Sequence, residues 1–327
     1  MSAIRVSVCI PVYKVEKYIE RCARSLFEQT LKDGIEFIFV DDCSPDRSIE
    51  ILKRVLEAYP ARRDQVRIVR HEVNKGLLEA RQTAIKASAG TYVIHCDSDD
   101  SVDSDLYERM LAEAESKALD VVVAPIRMIW NTGREQILDA DCKSADDYFK
   151  RFFGDPGFNS TFNKLINRRV YERVSFDRGE CGFYGEDLLL MAQLLAECKT
   201  IGFIHGSFYN YFRTIESGTV ADADNIGGVR QQLEVARTLS RLLEIRYPEA
   251  LLHYKHICQM RALRSLGFTR EEFLALWPED RTWRALAHDD RLKFYKKVLI
   301  FLSVKNYSLG LAVVRFLLAL RRIPGNK

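Results

Sequence analysis

Short apolar runs with the pattern of buried strands alternate with amphipathic helical segments through the first 125 residues of the chain. Val6–Val12 and residues 36–40 are apolar, β-branched and aromatic runs, and residues 15–31 between them carry apolar side chains at helical spacing. The alternation continues to a fifth apolar run at residues 121–124. Strands that alternate with helices form βαβ units and a parallel sheet covered on both faces. We therefore predict an α/β fold with a mostly parallel, Rossmann-like sheet flanked by helices.

Length, charge and cysteine content narrow the class of protein. The 327 residues suffice for one large domain or two ordinary ones. A net charge of +3, with no basic tract carrying interleaved aromatics in the first half, argues against a nucleic-acid binder. None of the eight cysteines forms a Cys-x-x-Cys pair, which argues against a zinc ribbon. Cys9 and Cys96 lie within predicted strands, where a free cysteine acts as a small buried hydrophobe, and this pattern suits a reducing compartment. With no secretory leader and no 18-residue apolar window, we expect a cytoplasmic protein without a spanning helix.

The strand–helix alternation fades after residue 125. A turn at residues 131–133 indicates a hairpin within 126–138, and a glycine-hinged loop at 182–187 leads into a helix. The polar and aromatic stretch 209–219 is predicted to be a mobile segment. From residue 225 onward the chain reads as helices. We place one domain at residues 1–220 and a helical C-terminal region at 221–327.

The end of the chain combines apolar runs with many cations. Residues 293–322 contain Lys293, Lys296, Lys297, Arg321 and Arg322 among apolar side chains. This composition fits a basic amphipathic segment that lies on an anionic membrane surface. A helical pair that packs back on the domain is the alternative.

Polar residues stand where three of the predicted strands end. They are Tyr13, the pair Asp41 and Asp42, and the acidic run of residues 97–100. Parallel sheets bind ligands at the carboxyl ends of their strands, so these residues are candidates for a common site. No Gly-x-Gly-x-x-Gly and no Walker-type phosphate loop is present.

Three carboxylates within the four residues 97–100 repel one another and need positive charge nearby. Carboxylate oxygen is the ligand preferred by hard cations, so Mg²⁺ or Mn²⁺ is the natural candidate. The alternative is an acidic loop in which Asp100, Ser101, Asp103 or Ser104 caps the next helix.

Ordered motifs along residues 1–220 resemble those of the family 2 glycosyltransferases, which have the GT-A fold. The matching segments are VSVCIPVYK at 6–14, QT at 29–30, VDDCSPD at 40–46, NKGLLEAR at 74–81, DSDD at 97–100, TFNKL at 161–165 and GED at 185–187. The resemblance implies a GT-A domain with a helical C-terminal extension.

The family's pattern implies a set of donor-binding residues: Pro11, Tyr13, Asp42, Asn74, Arg81, Asp97 and Ser98. Tyr13 is placed to stack on the base. Asp42 is expected to accept a hydrogen bond from a base N–H, while Asp41 orients the loop or exchanges roles with it. Arg81 either reaches the diphosphate or base with its guanidinium fork or forms a surface ion pair.

Residues 97–99 match the family's Asp-x-Asp motif. By this resemblance Asp99 binds Mg²⁺ or Mn²⁺, and Asp97 contacts the ribose or the metal shell. The metal would neutralise charge on the departing nucleoside diphosphate. Asp100 is expected to lie outside the site as a helix cap.

Asp187 is the expected catalytic base of an inverting reaction, because in-line displacement needs a carboxylate that deprotonates the acceptor hydroxyl. The alternative is that Glu186 or Asp187 only stabilises the dipole of the following helix. Lys164 and Arg213 are weaker candidates for phosphate or acceptor contacts. His253 and His256 are expected to be core or surface residues rather than metal ligands.

These features predict an enzyme that moves a hexosyl or N-acetylhexosaminyl group from a nucleotide sugar, with UDP-sugars favoured. The acceptor would be a hydroxyl of a glycan or lipid-linked molecule in cell-surface polysaccharide synthesis, at the inner face of the membrane. A non-catalytic nucleotide-sugar-binding or scaffold protein is the alternative. A nucleotidyltransferase is disfavoured because its Gly-rich N-terminal loop is absent. The oligomeric state is left open.

Overall fold

The computed structural model describes residues 3–140, 142, 144–154, 157–176, 185–213, 226–265 and 267–321. The chain divides into two compact units. The first comprises residues 1–148, 156–177 and 190–214, and the second comprises 149–155, 178–189 and 215–327.

The first unit contains the strands. In chain order they are β1 (Val6–Val12), β2 (Ile35–Asp41), β3 (Val66–Arg70), β4 (Tyr92–His95), β5 (Ser101–Val102), β6 (Val121–Val123), β7 (Ile126–Trp130), β8 (Glu135–Leu138), β9 (Lys164–Asn167), β10 (Ile201–Phe203) and β11 (Tyr209–Arg213).

Helices connect these strands and build the second unit. They are α1 (Ile19–Phe27), α2 (Ser48–Glu57), α3 (Leu77–Ala87), α4 (Leu106–Ser116), α5 (Ala145–Phe152), α6 (Arg168–Arg173), α7 (Glu186–Glu197), α8 (Ile226–Leu243), α9 (Pro248–Arg264), α10 (Arg270–Ala275), α11 (Trp283–His288), α12 (Phe294–Lys305) and α13 (Tyr307–Arg321). Short 3₁₀ turns occur at Pro60–Gln65 and Pro278–Arg281.

The described strands form a main sheet in the order β10-β6-β9-β4-β1-β2-β3. β1 pairs in parallel with both β2 and β4, and the β2–β3 and β6–β10 pairs are also parallel. β9 runs antiparallel between β4 and β6. The prediction of a mostly parallel α/β sheet is confirmed, whereas the insertion of residues 164–167 as an antiparallel strand was not predicted.

A smaller sheet has the order β5-β11-β7-β8. The predicted hairpin is the antiparallel pair β7–β8. The prediction that residues 209–219 are mobile is wrong for Tyr209–Arg213, because this segment is β11 and pairs in parallel with all of Ile126–Trp130. Residues 214–219 lie outside the described chain.

Both faces of the main sheet are buried. On one face, side chains of β1 and β2 such as Ile10 and Phe39 pack with α1 and α4 in the larger core. On the other face, Cys9, Ile38 and Val93 pack with α3. Continuous apolar strands are therefore explained by burial on two sides. Cys9 is fully buried, as its place in a predicted strand indicated.

In the second unit α9 packs against α8, α12 and α13, and α12 packs against α13. His253 and His256 on α9 are buried, and both bond the carboxylate of Asp289, at 2.9 and 2.7 Å. They are core residues, as expected. No helix within the described residues is long and apolar enough to span a bilayer.

Candidate active site

The acidic run of residues 97–100 lies in the turn between β4 and β5, at the carboxyl end of a central parallel strand. Asp97 and Asp99 are partly exposed, whereas Ser98 and Asp100 are buried. The four residues are therefore divided into two carboxylates that face solvent and two side chains that are part of the protein interior.

Arg81 orients the first carboxylate of the turn. Its guanidinium on α3 is buried, and Nη2 lies 2.9 Å from Oδ1 of Asp97. Of the two alternatives for Arg81, an ion pair is present, but it is not on the surface, because the arginine side chain is 1% exposed and that of Asp97 is 24% exposed. Because Arg81 is buried, it holds the Asp97 carboxylate in place before a ligand binds. Ligand binding therefore does not cost the entropy of ordering these two side chains.

Asp100 is not a helix cap, contrary to expectation. Helix α4 begins at Leu106, and the residue before it is Asp105. The Asp100 carboxylate instead accepts hydrogen bonds from the hydroxyl of Tyr209 at 2.8 Å and the backbone N–H of Phe212 at 2.9 Å. Burial and the charges of Asp99 and Asp97 raise the pKa of Asp100 well above its usual range.

Tyr209 is a site residue that sequence reasoning missed. Its hydroxyl accepts a hydrogen bond from the backbone N–H of Asp97 at 3.0 Å while it donates to Asp100. The ring is buried and stacks on Phe162, with ring centroids 4.2 Å apart. No local sequence signal marks the hydrogen bonds of Tyr209 with Asp97 and Asp100, because each joins residues more than one hundred positions apart.

Arg21 on α1 also contacts the turn. One of its guanidinium nitrogens donates to the backbone carbonyl of Asp99, and the guanidinium carbon lies 3.4 Å from the ring centroid of Phe212. A cation held over an aromatic ring in this way is an effective positioning group. The sequence offered no indication of it.

Asp99 is the carboxylate best suited to a cation. Burial, together with repulsion from Asp97, raises the pKa of Asp99 to about 6. No other described residue donates a hydrogen bond to this carboxylate, and Arg21 binds its backbone rather than its side chain. A divalent cation would favour the ionised form and offset the repulsion between the two carboxylates, so these residues fit Mg²⁺ or Mn²⁺.

The described residues contain no group of three or more His, Cys, Asp or Glu that could hold a metal by themselves. Mg²⁺ in proteins is usually bound by one or two carboxylates together with substrate phosphates. The candidate protein ligands are accordingly Asp97 and Asp99.

Asp42 follows β2 and is buried. Its Oδ1 lies 2.7 Å from Nδ1 of His71 and accepts from the backbone N–H of Lys75 at 2.8 Å, while Oδ2 accepts from Gly76 at 2.9 Å. The Asn74 amide donates to the backbone carbonyl of Asp42 at 3.2 Å. These contacts fix the loop that enters α3, the helix that carries Arg81.

Asp41 holds the neighbouring loop, which was one of the two roles considered for it. Its Oδ1 accepts a hydrogen bond from the backbone N–H of Ser44 at 2.8 Å, and Nε of Arg70 lies 3.5 Å from its Oδ2. At the end of β1, Pro11 is buried in the sheet, whereas Tyr13 is 40% exposed. The tyrosine ring is therefore partly open to solvent, with the Lys14 ammonium 5.1 Å from its centroid.

Lys164, a weaker candidate for phosphate contact, is buried on β9. Its Nζ donates a hydrogen bond to the Ser160 carbonyl at 2.5 Å, so the ammonium does not face a ligand in solvent. Burial holds the pKa of Lys164 well below its usual range.

Arg213 ends β11 and is half-buried. Asp187 is half-buried in the first turn of α7, and the Glu186 side chain lies outside the described part.

The model of the family "Glycosyl transferase family 2" matches residues 7–175, just over half of the chain. The chain is similar to the uncharacterized glycosyltransferase EpsJ of Bacillus subtilis, with 47% identity over 117 residues, 36% of this chain and 32% of EpsJ. It spans only about a third of that relative.

A longer match links the chain to the glycosyltransferase GlyG of Streptococcus pneumoniae. It has 28% identity over 284 residues and covers 79% of this chain and 90% of GlyG. Among solved structures, S. aureus TarS 1–349 in complex with UDP-GlcNAc has a TM-score of 0.64 at 18% identity, covering 94% of this chain and 92% of TarS 1–349. At this identity the likeness concerns the fold. The chain therefore belongs to glycosyl transferase family 2 and has the GT-A fold.

Proposed function

We propose that the protein transfers one sugar from a nucleotide-sugar donor, with UDP-sugars favoured, to a hydroxyl of a glycan or lipid-linked acceptor. The observation that carries this proposal is the acidic turn at the carboxyl end of β4, where Arg81 holds Asp97 beside the partly exposed Asp99. Family membership and the UDP-GlcNAc complex of TarS support it further. The two relatives EpsJ and GlyG are themselves called glycosyltransferases, which is consistent with the proposal.

The donor's base is proposed to stack on Tyr13, the exposed aromatic residue at the end of β1. The Asp42 carboxylate already has three polar neighbours, His71, Lys75 and Gly76. A carboxylate offers about four acceptor positions, so one remains for a base N–H. Asn74 is assigned to the same donor-binding surface, and Ser98, whose side chain is buried, is assigned to it through its backbone.

Asp99 and Asp97 are proposed to hold Mg²⁺ or Mn²⁺ together with the donor diphosphate. The ion, when bound, would neutralise negative charge on the leaving nucleoside diphosphate. Arg81 keeps Asp97 in place through its buried ion pair, and Tyr209 fixes the backbone of the same residue. The two protein groups thereby preorganise the turn before any ligand binds.

Asp187 is proposed as the catalytic base of an inverting reaction. It removes the proton from the acceptor hydroxyl as that oxygen attacks the anomeric carbon. The new glycosidic C–O bond forms while the bond between the anomeric carbon and the diphosphate oxygen breaks. The electron pair leaves with the nucleoside diphosphate, and the proton remains on Asp187.

We further propose that the protein works at the inner face of the cell membrane as a peripheral protein. The support is the basic and apolar composition of α12 and α13, on which Phe294 and Phe316 are 70% and 62% exposed. Such side chains, flanked by cations, favour the membrane interface.

A donor screen tests the transfer proposal. The full-length protein is mixed with Mn²⁺ and a set of UDP-, GDP- and dTDP-sugars, and release of the nucleoside diphosphate is measured with and without a glycan acceptor. We expect UDP release from at least one UDP-sugar, accelerated by the acceptor. Saturable UDP-sugar binding without release under any acceptor condition would contradict transfer and support a non-catalytic nucleotide-sugar-binding protein.

A further inference from the structure

Two aromatic side chains lie beside the acidic turn without a role in the donor site described above. Phe162 and Tyr211 are both half-buried, and their rings are nearly parallel, with an interplanar angle of 12° and centroids 5.6 Å apart. Phe162 also stacks on the buried Tyr209, whose hydroxyl bonds the turn. The pair therefore presents partly open aromatic surface close to the carboxylates.

The strand order of the main sheet places Phe162 next to the diphosphate site, on the side away from the base site. Tyr13 and Asp42 follow β1 and β2, and the acidic turn follows β4. The next strand in the sheet is β9, which runs antiparallel to β4 with Val93 paired to Ile166. The start of β9 therefore lies at the carboxyl end of β4, and Phe162 stands two residues before that start. Base, diphosphate and sugar follow one another in a nucleotide sugar, so the sugar is the part expected beside β9.

The register of the small sheet places Tyr211 against the same turn. β11 is antiparallel to β5, and their register carries Tyr211 beside Asp100. The backbone N–H of Phe212 donates to the Asp100 carboxylate at 2.9 Å, which agrees with this position. Side chains alternate between the two faces of a strand, so Tyr211 lies on the same face as Tyr209. Two independent elements, the start of β9 and β11, thus bring the aromatic pair to the turn.

The Tyr211 hydroxyl is a hydrogen-bond donor that a ligand can use. No described residue hydrogen bonds it, whereas the Tyr209 hydroxyl both donates to and accepts from the turn. Burial, together with the charges of Asp100, Asp97 and Asp99, raises the pKa of Tyr211 to about 12. The phenol therefore keeps its proton at neutral pH and can donate to an acceptor oxygen.

The chemistry of this surface matches a sugar ring. Three carboxylates and one guanidinium, that of Arg213, act on the Tyr211 hydroxyl, so the local charge disfavours a second anionic group there. A purely apolar ligand would leave the phenolic donor unpaired. A sugar has apolar C–H faces and oxygen atoms at its edge, which suit the rings of Phe162 and Tyr211 and the donor between them and the turn.

We propose that Phe162 and Tyr211 form the subsite for the sugar that is transferred. Their rings lie against a C–H face of the sugar, and the Tyr211 hydroxyl donates a hydrogen bond to one of its oxygens. The assignment rests on the proposed function and deepens it by naming residues that recognise the sugar. It requires that both side chains act on the sugar and not on the uridine diphosphate.

Isothermal titration calorimetry of the full-length protein, with Mn²⁺ and without acceptor, tests this subsite. UDP, UDP-glucose, UDP-galactose and UDP-GlcNAc are the probes, and the affinity for each UDP-sugar is compared with that for UDP. Tyr211→Phe removes one oxygen that no described residue bonds, so the folded structure is retained. Phe162→Leu removes the aromatic face and keeps an apolar side chain.

We expect both variants to bind UDP within about twofold of wild type and to lose about fivefold or more in affinity for the best-bound UDP-sugar. Tyr295→Phe and Phe301→Leu are the matched controls. They make the same changes at an exposed and a half-buried position of α12 and should bind every probe as wild type does.

Unchanged binding of every UDP-sugar by both variants would overturn the assignment. An equal loss of affinity for UDP would also overturn it, because the pair would then act on the diphosphate or on the fold. Unchanged UDP-sugar binding with a raised acceptor KM in the transfer assay would assign the pair to the acceptor instead. UDP release by the wild-type protein is measured separately, so each of these results leaves the proposed function standing.

Discussion

The Tyr209 hydroxyl donates a hydrogen bond to the buried Asp100 carboxylate at 2.8 Å. The same oxygen accepts a hydrogen bond from the backbone N–H of Asp97 at 3.0 Å. One phenol thus joins β11 to both ends of the acidic turn. The contact explains why the third carboxylate of the run is tolerated in the interior: it is satisfied by the protein and does not compete for a cation.

Replacing Tyr209 by Phe should destabilise the protein by about 1–3 kcal/mol, because Asp100 then loses a donor that is buried with it. Urea unfolding at neutral pH measures the change. Tyr211→Phe is the control, since no described residue hydrogen bonds the Tyr211 hydroxyl and its ring also stacks on Phe162. The control should change the free energy of unfolding by less than about 0.5 kcal/mol. Equal effects of the two substitutions would contradict the assigned role of Tyr209.

The Arg81–Asp97 pair should behave as one energetic unit. Arg81→Met is expected to destabilise the protein by about 1–3 kcal/mol, because it removes the hydrogen-bonded partner of the partly exposed Asp97 carboxylate. Combined with Asp97→Asn, a double-mutant cycle in denaturant should give a coupling energy of between about 0.5 and 3 kcal/mol. Simple additivity of the two changes would show that the contact does not orient Asp97.

The pH dependence of stability should report on Asp289. Burial alone would raise the pKa of Asp289, but hydrogen bonds with His253 and His256 outweigh it and hold the pKa well below its usual range. A depressed folded-state pKa contributes stability that is present above the unfolded pKa, about 3.9, and is lost as the pH falls below it. Asp289→Asn should therefore cost about 2–4 kcal/mol at pH 7 and less below about pH 4.

This difference is measured by denaturant unfolding of wild type and variant between pH 7 and pH 3. Asp290→Asn changes the adjacent, exposed carboxylate and serves as the control. A cost of Asp289→Asn that stays constant to pH 3 would mean that the ionised carboxylate is not what stabilises the two histidines.

Asp187→Asn should retain UDP binding and lose sugar transfer by about 10²–10⁴-fold, the usual contribution of a general base. Calorimetry with UDP and an acceptor-dependent transfer assay measure the two properties separately. Glu186→Gln alters the neighbouring carboxylate and should keep most of the activity. If Glu186→Gln removes transfer and Asp187→Asn does not, the two assignments are reversed.

Much of the fold was predictable because burial on both sheet faces forces a readable pattern. β1, β2 and the parallel order follow from continuous apolar runs separated by amphipathic helices. β9 was missed because the strand has only four residues, Lys164–Asn167, and two of them are polar, so it lacks the apolar run that marks a buried strand. β11 was mistaken for a mobile segment because polar and aromatic residues on a small second sheet lack a long apolar run.

The candidate site was predictable only in part for a related reason. Asp97 and Asp99 stand in a compact motif after a strand, so one stretch of sequence marks them. Arg21 and Tyr209 contact the same turn from α1 and β11, and only the tertiary fold brings them together. Asp100 shows the converse error: local spacing suggested a cap, but a distant strand satisfies its carboxylate.

The most direct test of the account is UDP release from a UDP-sugar by the wild-type protein, Asp99→Asn and the exposed-surface control Asp64→Asn, each with Mn²⁺ and with excess chelator. The account predicts release by wild type and Asp64→Asn that the chelator abolishes. It predicts a loss of about 10²-fold or more in Asp99→Asn at every Mn²⁺ concentration. Wild-type, chelator-sensitive turnover by Asp99→Asn would contradict the assignment of Asp99.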